Sequence, residues 1–180
     1  MDLVTRAGTR GLGLLAAAVA AWGGIVAFVG PSFDFELGDT HEAWVWNRSH
    51  AIMHFAPGVA GVVGGLLLLA AAPWALGRLG ALLALAAGVW FVIAPTLEPL
   101  WGTSGGGTSA LYGSSGSTTM RVLEGVGYHF GTGAALIMLS SLALGLLALA
   151  PRTVAVAAPE GGEAVEPRRR PIWPRHARHA

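Results

Sequence analysis

Residues 11–30 read GLGLLAAAVAAWGGIVAFVG, an uncharged apolar run closed by Pro31. A helix needs about 20 such residues to cross the hydrocarbon core of a bilayer, and this stretch supplies them. Three further runs follow the same rule. One extends from His50 through Leu69 and stops at Pro73. Another extends from Leu76 to Pro95, with Arg78 near its start, and the last from Val122 to Ala150, closed by Pro151. The bilayer core offers no water to backbone groups, so each run must satisfy its own N–H and C=O groups as a helix. The expectation is an all-α integral membrane four-helix bundle with spans at about 11–30, 50–72, 76–95 and 122–150. A short segment, 1–10, precedes it and a tail, 151–180, follows.

Composition points the same way. Of 180 residues, 53% are apolar and 12% charged, about half the charge of an ordinary soluble domain. There is no cysteine, which excludes disulfides, thiolate nucleophiles and Cys-ligated zinc or iron–sulfur centres. A cleaved signal peptide is the alternative reading of the first run, since Arg6 and Arg10 precede it. Its length favours a retained span.

All eleven basic residues are arginines. Arg6, Arg10, Arg78, Arg152, Arg168, Arg169, Arg170, Arg175 and Arg178 fall on one side of a four-span arrangement, and only Arg48 and Arg121 on the other. Because positive residues favour cytoplasmic loops, both termini and the Pro73–Arg78 turn are expected inside. The loops at 31–49 and 96–121 are expected outside. The first of these carries Trp44 and Trp46 beside Asp34, Glu36, Asp39 and Glu42, a mixture suited to the membrane interface. Residues 102–118 are rich in Gly, Ser and Thr and read as a mobile loop. The Pro-, Gly- and Arg-rich tail reads as disordered. An alanine- and arginine-rich chain without lysine suits a high-GC bacterium, so the expected location is the bacterial inner membrane. The Asn47-Arg48-Ser49 sequon carries little meaning in that setting.

Two motifs recur in the same order. Gly30-Pro31-Ser32-Phe33-Asp34 is answered by Ala94-Pro95-Thr96-Leu97-Glu98, and His54-Phe55-Ala56-Pro57-Gly58-Val59-Ala60 by His129-Phe130-Gly131-Thr132-Gly133-Ala134-Ala135. The pattern predicts two tandem helical hairpins related by an axis along the membrane normal. It also gives His54 and His129 matching depths. From His54, positions Gly58, Gly61 and Gly65 share a helix face; from His129, Gly125, Gly133 and Ser140 do so. Such small-residue seams let helices approach closely, so both histidines are expected to face the bundle interior.

An ionisable side chain inside a membrane invites a functional reading. Three chemistries fit. His54 and His129 suit the axial ligation of a b-type haem. His50, His54 and His129, with His41 or Glu124 from the rim, suit a divalent metal. The same imidazoles suit a proton-responsive site. The plainest reading is structural, with each histidine hydrogen-bonded to a backbone carbonyl, a water or a neighbouring helix. Glu124 reads as a carboxylate near the start of the fourth helix, and Trp90, Trp101 and Tyr128 as packing or belt residues.

No nucleophile–base arrangement or P-loop is recognisable, and Gly105-Gly106-Gly107 lacks the Lys-Ser/Thr ending. The arginine cluster is too sparse for nucleic-acid recognition. Ala72-Pro73-Trp74, after Gly64-Gly65-Leu66-Leu67-Leu68-Leu69, resembles the Ser-Pro-Trp repeat membrane proteins of bacteria and archaea. Val89-Trp90-Phe91-Val92-Ile93-Ala94-Pro95-Thr96 resembles a second, degenerate copy. The segments around His54 and around Leu123–Gly133 resemble small actinobacterial multi-pass membrane proteins. These resemblances imply a multi-helix membrane protein and assign no catalytic residue. The functional expectation is a non-enzymatic accessory or structural subunit of a membrane complex. The alternatives are a bis-histidine haem electron-transfer protein and a proton- or metal-responsive sensor or transport-related protein.

Overall fold

A computed structural model describes residues 3–35, 43–70, 74–97, 100 and 118–149. Among them the chain forms four long helices. Helix α1 is Leu3–Val29, followed by a 3-10 turn, Gly30–Phe33. Helix α2 is continuous through Arg48–His50, Ala51–Phe55 and Ala56–Ala70, and α3 is Trp74–Leu97. Helix α4 runs through Thr118–Gly125, Val126–Phe130 and Gly131–Leu149. All four are long and apolar enough to cross a membrane. No strand occurs among the described residues. His41, Glu98, Trp101, the turn at Pro73, nearly all of the 102–118 stretch and the basic tail lie outside them.

Each helix packs on two neighbours in the cyclic order α1, α2, α3, α4, with little contact between α1 and α3 across the diagonal. The core is built from small residues with a few large ones wedged between them. Ala16, Ala20, Ala87, Phe91 and Leu136 form the central cluster, while Leu68, Ala81, Ala143 and Leu147 form a second one. Glycine permits the closest approaches. A Cβ on Gly58 would lie 2.5 Å from the Gly24 Cα, and one on Gly133 would lie 2.7 Å from the Gly88 carbonyl oxygen. In a bilayer, apolar side chains would gain little from leaving lipid for one another, and close backbone packing of this kind would supply the cohesion between helices.

The helix limits depart from the apolar runs in three places. Helix α1 starts at Leu3 and carries Arg6 and Arg10 within it, because arginine is a good helix former. Pro95 lies inside α3 rather than ending it; its ring removes one backbone donor, yet the helix continues for a further half turn. Helix α4 begins at Thr118, so Glu124 lies beyond the first turn and is buried at 6% exposure, not at the helix start.

Two further fixtures bind the ends. Asn47 caps α2, its Oδ1 accepting the His50 backbone N–H at 2.7 Å, so the sequon asparagine has a structural task. At the opposite end of the bundle, Trp74 donates its indole N–H to the Leu147 carbonyl at 3.0 Å. That carbonyl is in the last turn of α4, where helix carbonyls lack intrahelical donors. Arg78 lies over the Trp74 ring, 3.7 Å from its centroid, in cation–π geometry.

Candidate functional site

The segments Ala51–Phe55 and Val126–Phe130 are π-helical. In each, the first carbonyl is reached from five residues on: Ala56 N–H donates to Ala51, and Gly131 N–H to Val126. Pro57 accounts for part of the first π turn. In the π register the Ile52 carbonyl would accept from residue 57, and proline has no N–H to give. Trp90 on α3 supplies the missing donor, its indole N–H reaching the Ile52 oxygen at 2.9 Å. In the second π turn, Thr132 stands where the first has Pro57. Its hydroxyl donates to the Gly127 carbonyl at 2.6 Å, and Trp22 on α1 donates to the same oxygen at 3.0 Å. The sequence read Trp90 as packing; its bond to a carbonyl orphaned by proline was the missed role, and Pro57 was the available signal.

His54 and His129 occupy the fourth position of their respective π turns, and the bundle brings them together. They are 4% and 2% exposed, with ring centroids 4.7 Å apart and planes inclined at 36°. The interior placement expected from the glycine seams is what the structure contains. His54 Nδ1–H donates to the Gly23 carbonyl of α1 at 3.2 Å. A carbonyl can only accept, so this bond leaves the lone pair of neutral His54 on Nε2. His129 Nδ1 is buried with no hydrogen-bond partner. Phe91 lies beside His54 at 6.4 Å, and the Tyr128 ring meets it edge-on at 5.6 Å.

An aromatic cap closes this end of the bundle. Asp34 adopts φ 57°, a left-handed conformation that an Asp tolerates better than most residues, and turns the chain so that Phe35 N–H reaches the Gly30 carbonyl at 3.1 Å. Gly30 must lack a side chain here, since a Cβ would collide with the Phe35 carbonyl and the Tyr128 hydroxyl. Tyr128 donates to the Phe35 carbonyl at 2.6 Å, and the Phe35 ring packs between Tyr128 and Trp22. On the other flank Trp46 stacks on Phe28 and meets Phe55 edge-on.

His50 stands at the rim. Its Nδ1–H donates to the Val45 carbonyl at 2.8 Å, and its ring lies 6.1 Å from that of His54. Among the described residues no three His, Asp or Glu side chains are grouped to hold a metal ion, so the set His50, His54 and His129 does not converge as a three-ligand centre.

The haem b expectation at His54 and His129 does not fit this packing either. Two imidazoles on opposite faces of an iron, with metal–nitrogen bonds of about 2 Å, hold their centroids roughly 6 Å apart with the macrocycle between them. At 4.7 Å, with both rings enclosed, there is no slot for a macrocycle. What the pair offers is two imidazoles in contact, one oriented by a backbone carbonyl and the other with an Nδ1 that has no hydrogen-bond partner. Comparison with protein-family models, with curated proteins and with solved structures gives no match.

Proposed function

We propose that the chain is a four-span protein of the bacterial plasma membrane, with both termini cytoplasmic, that serves as a non-enzymatic accessory or structural subunit of a larger membrane complex. The arginine distribution supports the orientation. Two tandem hairpins are part of the same reading. Supporting them are the matched π turns, the shared position of His54 and His129 within them, and the paired close approaches Gly24–Gly58 and Gly88–Gly133.

One observation carries the subunit role. Between α1 and α4, at the end away from the histidines, an apolar groove of about 660 Å³ is lined by Gly8, Gly11, Ser141 and Gly145 among leucines. A Cβ on Gly11 or Gly145 would meet nothing within 4 Å. The glycines at the internal seams are explained by the helix they touch, whereas these two are left open on a lipid-facing surface. Small residues in such a position let a further helix approach closely.

Gly11→Leu and Gly145→Leu test this role. Each is expected to leave the thermal unfolding of the isolated protein unchanged and to abolish crosslinking and gentle co-purification with a membrane partner. A wild-type chain recovered only as a free monomer from crosslinked membranes contradicts the reading.

A further inference from the structure

We propose that the His54–His129 pair is an acid-operated latch: one proton taken up by the pair releases the aromatic cap at this end of the bundle. The inference stands apart from the subunit role and rests on the geometry around the two rings. Their centroids are 4.7 Å apart and both side chains are buried. His54 Nδ1–H donates to the Gly23 carbonyl, while His129 Nδ1 has no hydrogen-bond partner. Two neutral rings can share such a space. A protonated imidazole carries two N–H donors and no acceptor, so on a charged His129 the Nδ1–H would face nothing that accepts it. A charge buried without partners is costly.

Relief can come from one side only. Inward of the pair lie Phe91, its ring 6.4 Å from that of His54, and the central cluster of Ala16, Ala20, Ala87 and Leu136. Towards the cap are the exposed Asp34, Asn47 and Arg48. The cap stands between. Tyr128 shares a π turn with His129, meets the His54 ring edge-on at 5.6 Å and ties Phe35 to α4 at 2.6 Å. Parting the two imidazoles to admit water therefore displaces the residue that holds the cap. The open arrangement binds the proton better than the closed one, so opening is favoured as pH falls, by at most about tenfold per pH unit for one proton.

Few other groups here titrate. On α2 the His50 ring lies 6.1 Å from that of His54, with Nδ1 engaged at the Val45 carbonyl. On α4 Glu124 is buried two residues before the second π turn, and Tyr128 follows within it. At the level of the pair α1 presents Gly23 and α3 presents Phe91, neither of which titrates.

Hydrogen exchange of the full-length protein in detergent, corrected for the pH dependence of intrinsic exchange, tests the latch. From about pH 7.5 down to about pH 5, the span in which histidine titrates, protection at Gly30–Phe35 is expected to fall by up to about tenfold per pH unit. Protection at Ala16–Ala20, in the central cluster, should hold. The double variant His54→Gln/His129→Phe should remove this pH dependence, and His50→Gln should retain it. Wild-type protection that does not change with pH overturns the proposal, as does a response that persists in the double variant or vanishes with His50→Gln. Should the double variant fail to fold or to form the cap, nitrogen NMR of labelled histidines in the wild type decides. The cap must loosen with the same pH midpoint as the pair takes up its proton. A cap that loosens while both rings stay neutral, or that stays protected over a charged ring, is incompatible with the latch.

Discussion

Trp90 donates its indole N–H to the Ile52 carbonyl at 2.9 Å, supplying from a neighbouring helix the donor that Pro57 withholds. The bond ties α3, at a point five residues before Pro95, to the first π turn two residues before His54. It makes the shape of one helix depend on a side chain of another.

Trp90→Phe is therefore expected to destabilise the bundle by about 1 kcal/mol or somewhat more, the cost of leaving a half-buried carbonyl unpaired. Trp22→Phe should cost less, because Gly127 keeps the Thr132 hydroxyl at 2.6 Å. Adding Pro57→Ala to Trp90→Phe should recover part of the loss by restoring a backbone N–H. Thermal unfolding in detergent, arranged as a double-mutant cycle, measures all three.

Gly58→Ala and Gly88→Ala should each destabilise by about 1–3 kcal/mol through overpacking, since the new methyl would lie 2.5 Å from the Gly24 Cα in one case and 2.8 Å from the Leu136 Cβ in the other. Gly145→Ala, facing open space, should be neutral or slightly stabilising through helix propensity. Equal effects at all three positions would remove the distinction between seam and groove.

Tyr128→Phe should leave global unfolding nearly unchanged, shifting it by about 1 kcal/mol, the net worth of one hydrogen bond. The cap itself should loosen. Hydrogen exchange at Gly30–Phe35 is expected to accelerate, because the Phe35 carbonyl loses its 2.6 Å bond to α4. Unchanged protection would show that ring packing alone holds the segment.

The absence of cysteine makes single-site labelling a clean test of orientation. Ser115→Cys should react with an impermeant thiol reagent from outside intact cells, and Ala75→Cys only after the membrane is opened. The reverse pattern would invert the topology.

Much of the fold is legible in the sequence, because a bilayer-length apolar run leaves a chain few alternatives to a helix. The four runs became α1 to α4, and the glycine spacing after His54 and His129 turned both imidazoles inward. The ends were less legible. Arg6 and Arg10 lie in α1 although the apolar run starts after them, since helix formation tolerates arginine where a hydropathy limit does not. Glu124 was read as a start signal, but the polar turn before it, from Thr118, also folds as helix. At the candidate site, the recurrence of His-Phe predicted equivalence of depth but not ring contact, which depends on how four helices close on one another. The π turns were hidden because their hydrogen bonds differ from those of an α-helix by a single residue. Pro57 marks only one of them. The aromatic cap rests on Phe35 and Tyr128, far apart in sequence, and no local pattern joins them.

The two π turns also set a rotational phase. An α-helix advances about 100° per residue, so the extra residue in Ala51–Phe55 and in Val126–Phe130 re-aims everything beyond it relative to the glycine seam. Deleting one residue from either turn would keep the helix and its composition while swinging its outer portion by about a quarter of a circle. His50 would then leave the Phe28 ring of α1, which it meets edge-on, and Glu124 its buried setting. The bundle thus sets the azimuth of its loops by residue count, and single-residue deletions there are more consequential than many substitutions.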